Sequence, residues 1–249
     1  MIKKPDIHIV KLHTIDSTNN YLKSLNKKKQ LDKNTLVWSL AQTHGRGQMG
    51  TSWVSEAGKN LTFSVFRRVE RISIDQQFHV TMAASLAVKD VLEKLLIKKV
   101  SVKWPNDILS DKQKVCGILI ESVIKRGALS AVIIGIGLNV NQTQFNTDLR
   151  ATSIKNLTGV NFALEEILNL LITQFHYYTK LLLDGKFSEI KNNYEAYLFK
   201  KDKPATFLRA NNERFCGIIK GVTDLGKLIL LEEDGIINEY DLKELKMLF

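Results

Sequence analysis

Apolar and polar residues alternate along residues 7–13 (IHIVKLH), the two-residue period of a half-exposed strand. Residues 16–28 (DSTNNYLKSLNKK) open with helix-capping types and then set Tyr21, Leu22 and Leu25 at helical spacing. A mostly apolar run at 35–42 (TLVWSLAQ) predicts a second strand, and 60–66 (NLTFSVF) returns to alternation. The longest helical pattern covers 74–95, with Phe78, Met82, Leu86 and Val88 on the inward side. After a short strand at 100–104, two apolar runs at 115–124 and 129–140 read as a strand pair turning near Arg126-Gly127. An amphipathic helix over 164–183 comes next, then a break at Gly185 and a second helix over about 187–199. From about 203 the period shortens to strands separated by turn signals at Asn211-Asn212, Asp224–Gly226 and Asp234-Gly235. The pattern predicts an α+β protein: a mixed β-sheet flanked by helices over residues 1–200, then a small antiparallel barrel over 201–249.

With 249 residues, 44% of them apolar, the chain can build a sizeable core. No run approaches ~18 apolar residues, so no membrane span is expected. The first residues carry charges and a proline and no unbroken apolar segment, so no signal peptide is expected either. Cys116 and Cys216 lie far apart, each in an apolar-rich run. That fits core residues in a reducing compartment, hence a cytoplasmic location. No C-x2-C pair and no H-x3-H spacing occurs, so a zinc site is not expected. The net charge of +10 points either to an anionic partner or to a generally lysine-rich surface, of which 23–29 and 200–203 are examples.

The densest chemistry lies in residues 44–53, HGRGQMGTSW. Gly45, Gly47 and Gly50 satisfy the dinucleotide-binding spacing, and Glu70 lies about 20 residues on, where a ribose-binding acid belongs. The helix that such a turn must open is missing, because 51–61 (TSWVSEAGKNL) has no 3.6-residue pattern. A P-loop also fails: each Gly-Lys pair is followed by Asn60, Phe187 or Leu228, never by Ser or Thr. What remains is a glycine-rich loop whose bare N–H groups and Arg46 can meet an anion, or an ordinary surface loop.

The accompanying motifs narrow this. STN (17–19), QTHGRGQMGTSW (42–53), GKNLTFS (58–64), KWPND (103–107), KVCGILIE (114–121) and GIGLNV (135–140) occur in an order that resembles the biotin protein ligases, also called biotin–[acetyl-CoA-carboxylase] ligases. The resemblance covers roughly 17–140. It implies a fold like the class II aminoacyl-tRNA synthetases and biotin ligases, with an SH3-like β-barrel at the C-terminus. It also implies an enzyme that activates biotin with ATP as biotinyl-5′-AMP and transfers it to one lysine of a biotin carboxyl carrier protein.

By the same resemblance, Lys114 lies beside the biotin carboxylate and the α-phosphate, with Arg46 and Asp107 as further catalytic residues. Ser17, Thr18, Asn19 and Gln42 surround the ureido ring, where an uncharged head group needs short neutral donors and acceptors. Arg46, Gly47, Gln48, Lys114 and Gly117 complete the biotin site, with Ile118 along its tail. Arg46, Trp53, Asn139 and Lys114 face ATP. Asp107 orients the incoming amine; Lys103 is either a site cation or a structural partner of Asp107. Mg²⁺ is expected with ATP, through ligands the sequence does not reveal. Relatives often carry further arginines in the loop where this chain has Gln48 and Thr51, which puts retention of the adenylate in doubt.

STN begins at residue 17, so no helix-turn-helix domain and no specific DNA binding are expected. Two other readings stay open: a lipoate–protein ligase or octanoyltransferase, which needs no polar ureido pocket, and a basic nucleic-acid module using the C-terminal barrel. Against the latter, Phe207 and Phe215 read as core residues.

Overall fold

The computed structural model describes residues 7–146 and 150–248. Residues 1–6, on which the reading of the N-terminus partly rests, lie outside the described residues. The main element is a seven-stranded sheet in the order β1-β2-β3-β7-β6-β5-β4. Its strands are β1 (His8–Ile15), β2 (Thr35–Gln42), β3 (Leu61–Arg68), β4 (Val100–Lys103), β5 (Asp107–Ser110), β6 (Gln113–Lys125) and β7 (Ala128–Leu138). Among these strands only the β1–β2 pair is parallel. It is bridged by α1 (Thr18–Lys29), the crossover that a parallel pair requires.

The parity of the strand residues decides which face each helix covers. Val37, Phe66, Ala131 and Ile133 point to one face and pack on Leu22 of α1. Leu36, Trp38, Phe63, Val65, Ile134 and Ile136 point to the other, toward α2 (Phe78–Lys94) and α4 (Leu164–Leu183). Phe63 meets Phe175 of α4 edge-on at 6.2 Å. With helices on both faces, β3 is buried at seven of its eight positions, although residues 60–66 alternate like a half-exposed strand. Its Thr62 and Ser64 are therefore buried polar groups that need partners. The 74–95 pattern divides into a short 3₁₀ turn (Ile74–Gln76) and α2. Two short elements, β5 and α3 (Ile154–Thr158), carry too few residues to show a period.

After α5 (Phe187–Ala196) come β8 (Pro204–Arg209), β9 (Arg214–Val222), β10 (Leu228–Glu232), β11 (Ile237–Tyr240) and β12 (Leu245–Leu248). They form a five-stranded antiparallel sheet in the order β11-β10-β9-β8-β12, with the expected turns, but the outer strands β11 and β12 do not pair to close a barrel. Phe207, Leu228, Leu230 and Met247 share one continuous core with the seven-stranded sheet. The Trp104 indole donates to the Gly226 carbonyl at 2.8 Å, and the Tyr194 hydroxyl donates to the Pro105 carbonyl at 3.1 Å. The first bond ties the β9–β10 turn of the second sheet to the β4–β5 edge of the first, and the second ties α5 to the same edge.

Candidate active site

A cavity of about 610 Å³ opens between the two sheets. Its head is polar and neutral. Because β1 and β2 run parallel, Ile15 stands opposite Gln42, and the turn into α1 places Thr18 directly at the end of β2. The Gln42 side-chain oxygen Oε1 accepts from the Thr18 backbone N–H at 2.8 Å and lies 3.1 Å from its hydroxyl. That hydroxyl is also 2.7 Å from Ser64 Oγ, which donates to the Asn19 side-chain oxygen. Each hydroxyl has one proton, so the Thr18 hydroxyl can serve only one of its two acceptors. Gln42 has a free amide NH₂ among the described residues. The set can therefore exchange hydrogen bonds with a small ligand carrying both donors and acceptors. Ser17, at the N-cap position with extended backbone, makes no side-chain capping bond and lies buried in the cavity wall.

The roof is the glycine-rich loop, folded as a small hairpin. Trp53 N–H donates to the Gly45 carbonyl at 2.9 Å, Gly47 N–H donates to the Thr51 carbonyl at 2.6 Å, and Arg46 bridges Ser52. A Cβ on Gly45 would fall 2.3 Å from the Trp53 carbonyl oxygen, so close backbone approach explains that glycine. The loop leads into β3, antiparallel to β2, and not into a helix, which removes the dinucleotide-binding reading. The Trp53 ring lies across Gly117 of β6 and Gly137 of β7, which stand opposite each other. Two adjacent glycines leave a bare patch of sheet on which an indole can rest.

Below the roof the cavity turns cationic. Lys114 Nζ pairs with Asp107 Oδ1 at 2.6 Å and lies 5.6 Å from the Trp53 ring centroid. Segment 150–152 fixes its backbone: Lys114 N–H donates to Arg150 and its carbonyl accepts from Thr152. Lys103, opposite Asp107 in the β4–β5 hairpin, also lines the cavity. Burial pulls its ammonium below the ordinary lysine range; Asp107 opposes this, and the charges of Lys114 and Lys246 add to it. Lys243 and Lys246 of the second sheet complete the basic wall. Cys116 is no nucleophile here, since burial pushes its thiol far up.

A family model for biotin/lipoate A/B protein ligases matches residues 12–139. The chain belongs to that family. The bifunctional ligase/repressor BirA of Escherichia coli is 30% identical over 231 residues, which span 92% of this ligase-family chain and 70% of that protein. A biotin–[acetyl-CoA-carboxylase] ligase of Paracoccus denitrificans is 31% identical over 203 residues, 78% of this chain and 83% of that one. Among solved structures, a biotin protein ligase of Aquifex aeolicus in complex with biotin and ATP superposes with a TM-score of 0.81 at 26% identity, covering 97% of this chain and 98% of that one.

Of the residues singled out in the sequence, the structure of this family member gathers Ser17, Thr18, Asn19, Gln42, Arg46, Gly47, Gln48, Trp53, Lys103, Asp107, Lys114, Gly117 and Ile118 around one cavity. It does not bring Asn139 there. The Asn139 amide donates to the Thr152 carbonyl at 3.0 Å, its N–H to Val115, and its carbonyl accepts from Ile154, so it ties the end of β7 to the segment holding Lys114. Phe207 is fully buried, as read.

Glu121 ends the KVCGILIE motif, and its partners come from α1 and the loop, which no local pattern reveals. Burial pushes its carboxyl up, but hydrogen bonds from Lys23 and Asn19 and the charges of Lys23 and Arg46 outweigh this and hold it below its ordinary 4.5. A carboxyl depressed by folding contributes stability that is complete above its unfolded value and lost as pH falls through the folded one. The melting-temperature gap between wild type and Glu121→Gln is therefore expected to be constant above about pH 4.5 and to shrink below it. A gap that widens on acidification would contradict this assignment.

Proposed function

We propose that the chain joins biotin to ATP as biotinyl-5′-AMP and then passes biotin to one lysine of a biotin carboxyl carrier protein. The observation that carries this reading is the juxtaposition, in one cavity, of a neutral hydrogen-bonding head and a lysine-lined mouth separated by the Trp53–glycine contact. It is supported by the Aquifex relative, whose structure holds biotin and ATP. In this reading Thr18, Gln42 and Ser17 receive the ureido ring, and the tail runs past Gly117 and Ile118. Arg46, Gly47, Gln48 and Lys114 meet the carboxylate end. A carboxylate oxygen attacks the α-phosphorus and pyrophosphate leaves. The acceptor amine then attacks the acyl carbon and AMP leaves. Lys114 offsets the charge where two anions meet, Asp107 orients the amine, and no covalent enzyme intermediate is needed.

Trp53 would stand between biotin and adenine. Residues 1–200 act as the catalytic unit and 201–249 as a unit walling the nucleotide side. No group of three or more potential metal-ligating side chains occurs among the described residues, and Asp107 is the one carboxylate they give the cavity, already paired with Lys114. The described residues thus offer no metal cage, and Mg²⁺ would arrive on the phosphates of ATP. No helix among the described residues is long and apolar enough to cross a membrane; a cytoplasmic location is part of the proposal.

The family also includes lipoate ligases. Competition of biotin against lipoate in ATP–pyrophosphate exchange tests the choice: biotin should drive exchange and lipoate should neither replace nor displace it. Effective competition by lipoate would overturn the reading. A second experiment addresses the single loop arginine. Gln48→Arg is expected to slow release of biotinyl-AMP into solution severalfold by adding a charged donor beside the adenylate. Equal release from both proteins would remove the idea.

A further inference from the structure

We propose that Glu121 is a positioning residue for Arg46, linking the neutral head of the cavity to the glycine-rich loop. Its side chain is 14% exposed and carries three donors from two other parts of the chain. Asn19 Nδ2 donates to Oε2 at 2.8 Å, while Lys23 Nζ and Arg46 Nη1 converge on Oε1, the latter at 3.0 Å. Arg46 Nη1 also donates to the Asn20 oxygen at 3.0 Å, and Asn20 is oriented by donating its own amide to Asp16 at 2.9 Å. One nitrogen of the fork is thus fixed by α1 and β6 together. Nε and Nη2 have no partner among the described residues and remain for a ligand oxygen.

Charge favours positioning over sequestration. Lys23 and Arg46 both face Glu121, so the trio keeps a net charge of +1 and still attracts an anion. A carboxylate facing Arg46 alone would have cancelled it. The link to the head of the cavity is continuous. The Asn19 oxygen accepts from Ser64, and Ser64 can in turn accept from the Thr18 hydroxyl, whose other acceptor is Gln42.

This inference rests on the proposed function only in supposing that Arg46 meets a ligand anion; the geometry it assigns to the empty loop stands apart. Two readouts keep them separate. In the ligand-free protein, amide hydrogen exchange over 44–53 is expected to rise in Glu121→Gln and in Arg46→Ala, and no further in the double variant. With biotin and ATP, Glu121→Gln is expected to lower kcat/KM for pyrophosphate exchange by about tenfold when Arg46 is present. In the Arg46→Ala background it should cost less than about twofold, the non-additivity of residues acting as one unit. If Glu121→Gln does not fold, Glu121→Asp must show the same pattern, because the charge survives but its reach to Nη1 shortens. Unchanged exchange over 44–53, or costs that add fully in the double variant, would overturn the proposal. Absence of biotin-dependent turnover in wild type, with the exchange result intact, would instead count against the function.

Discussion

Lys114→Ala is expected to slow biotin adenylation by about 10²–10³-fold, the loss seen when one group aimed at developing charge is removed. In the proposed first step two anions must approach within bonding distance, and the ammonium would stand where they meet. Lys114 leaves its strand beside the Trp53 roof and pairs with Asp107, the one carboxylate that the described residues give the cavity. The pair is partly exposed, at 34% and 21%, so breaking it should cost only about 0–1 kcal/mol of stability. The activity loss therefore cannot come from unfolding, and an unchanged melting temperature checks this. The fall should appear in kcat more than in the biotin KM, because the charge matters most in the transition state. Lys114→Arg should recover only part of the rate, since a planar fork does not place its charge where a point ammonium does. Pyrophosphate exchange within about threefold of wild type in Lys114→Ala would remove Lys114 from the mechanism.

Gly137→Ala is expected to lift the roof. A Cβ there would fall 2.3 Å from Trp53 Cε2, and the facing Gly117 would bring its own to 3.1 Å of the same ring. The indole belongs to a loop with few apolar contacts, so the ring should yield and the sheet should not. The expected result is a fall of about tenfold or more in biotin-dependent exchange. Biotinyl-AMP should also leak faster and hydrolyse in solution, because in the proposed reaction the closed loop would shield the mixed anhydride. Hydrogen exchange reads the same event: in wild type, biotin and ATP should slow exchange over 44–53, and in Gly137→Ala they should not. Equal protection in both proteins would show that Trp53 and its glycine seat are dispensable.

Much of this architecture is legible in the order of apolar residues. The 164–183 pattern coincides with α4, and the paired runs around Arg126-Gly127 become the β6–β7 hairpin. The absence of a helical period after Trp53 already separates the loop from a dinucleotide turn. The illegible parts share a cause, dependence on distant chain. β3 alternates like a surface strand and is buried because α1 and α4 close both of its faces. Asn139, whose nucleotide role only the resemblance implies, is tied by its side chain and carbonyl to the distant 152–154 segment, a link no local pattern reveals. Glu121 stands out only once Lys23, Asn19 and Arg46 are folded onto it. Lys243 and Lys246 reach the cavity wall only because the second sheet packs beside the first, which no local pattern reveals.

The most direct test incubates the protein with labelled biotin, ATP, Mg²⁺ and a biotin carboxyl carrier domain, and asks where the label goes. Label should appear on the carrier through an amide at one lysine, require ATP, and nearly vanish with Lys114→Ala. A carrier that stays unlabelled, or label that transfers equally well without Lys114, would contradict the account.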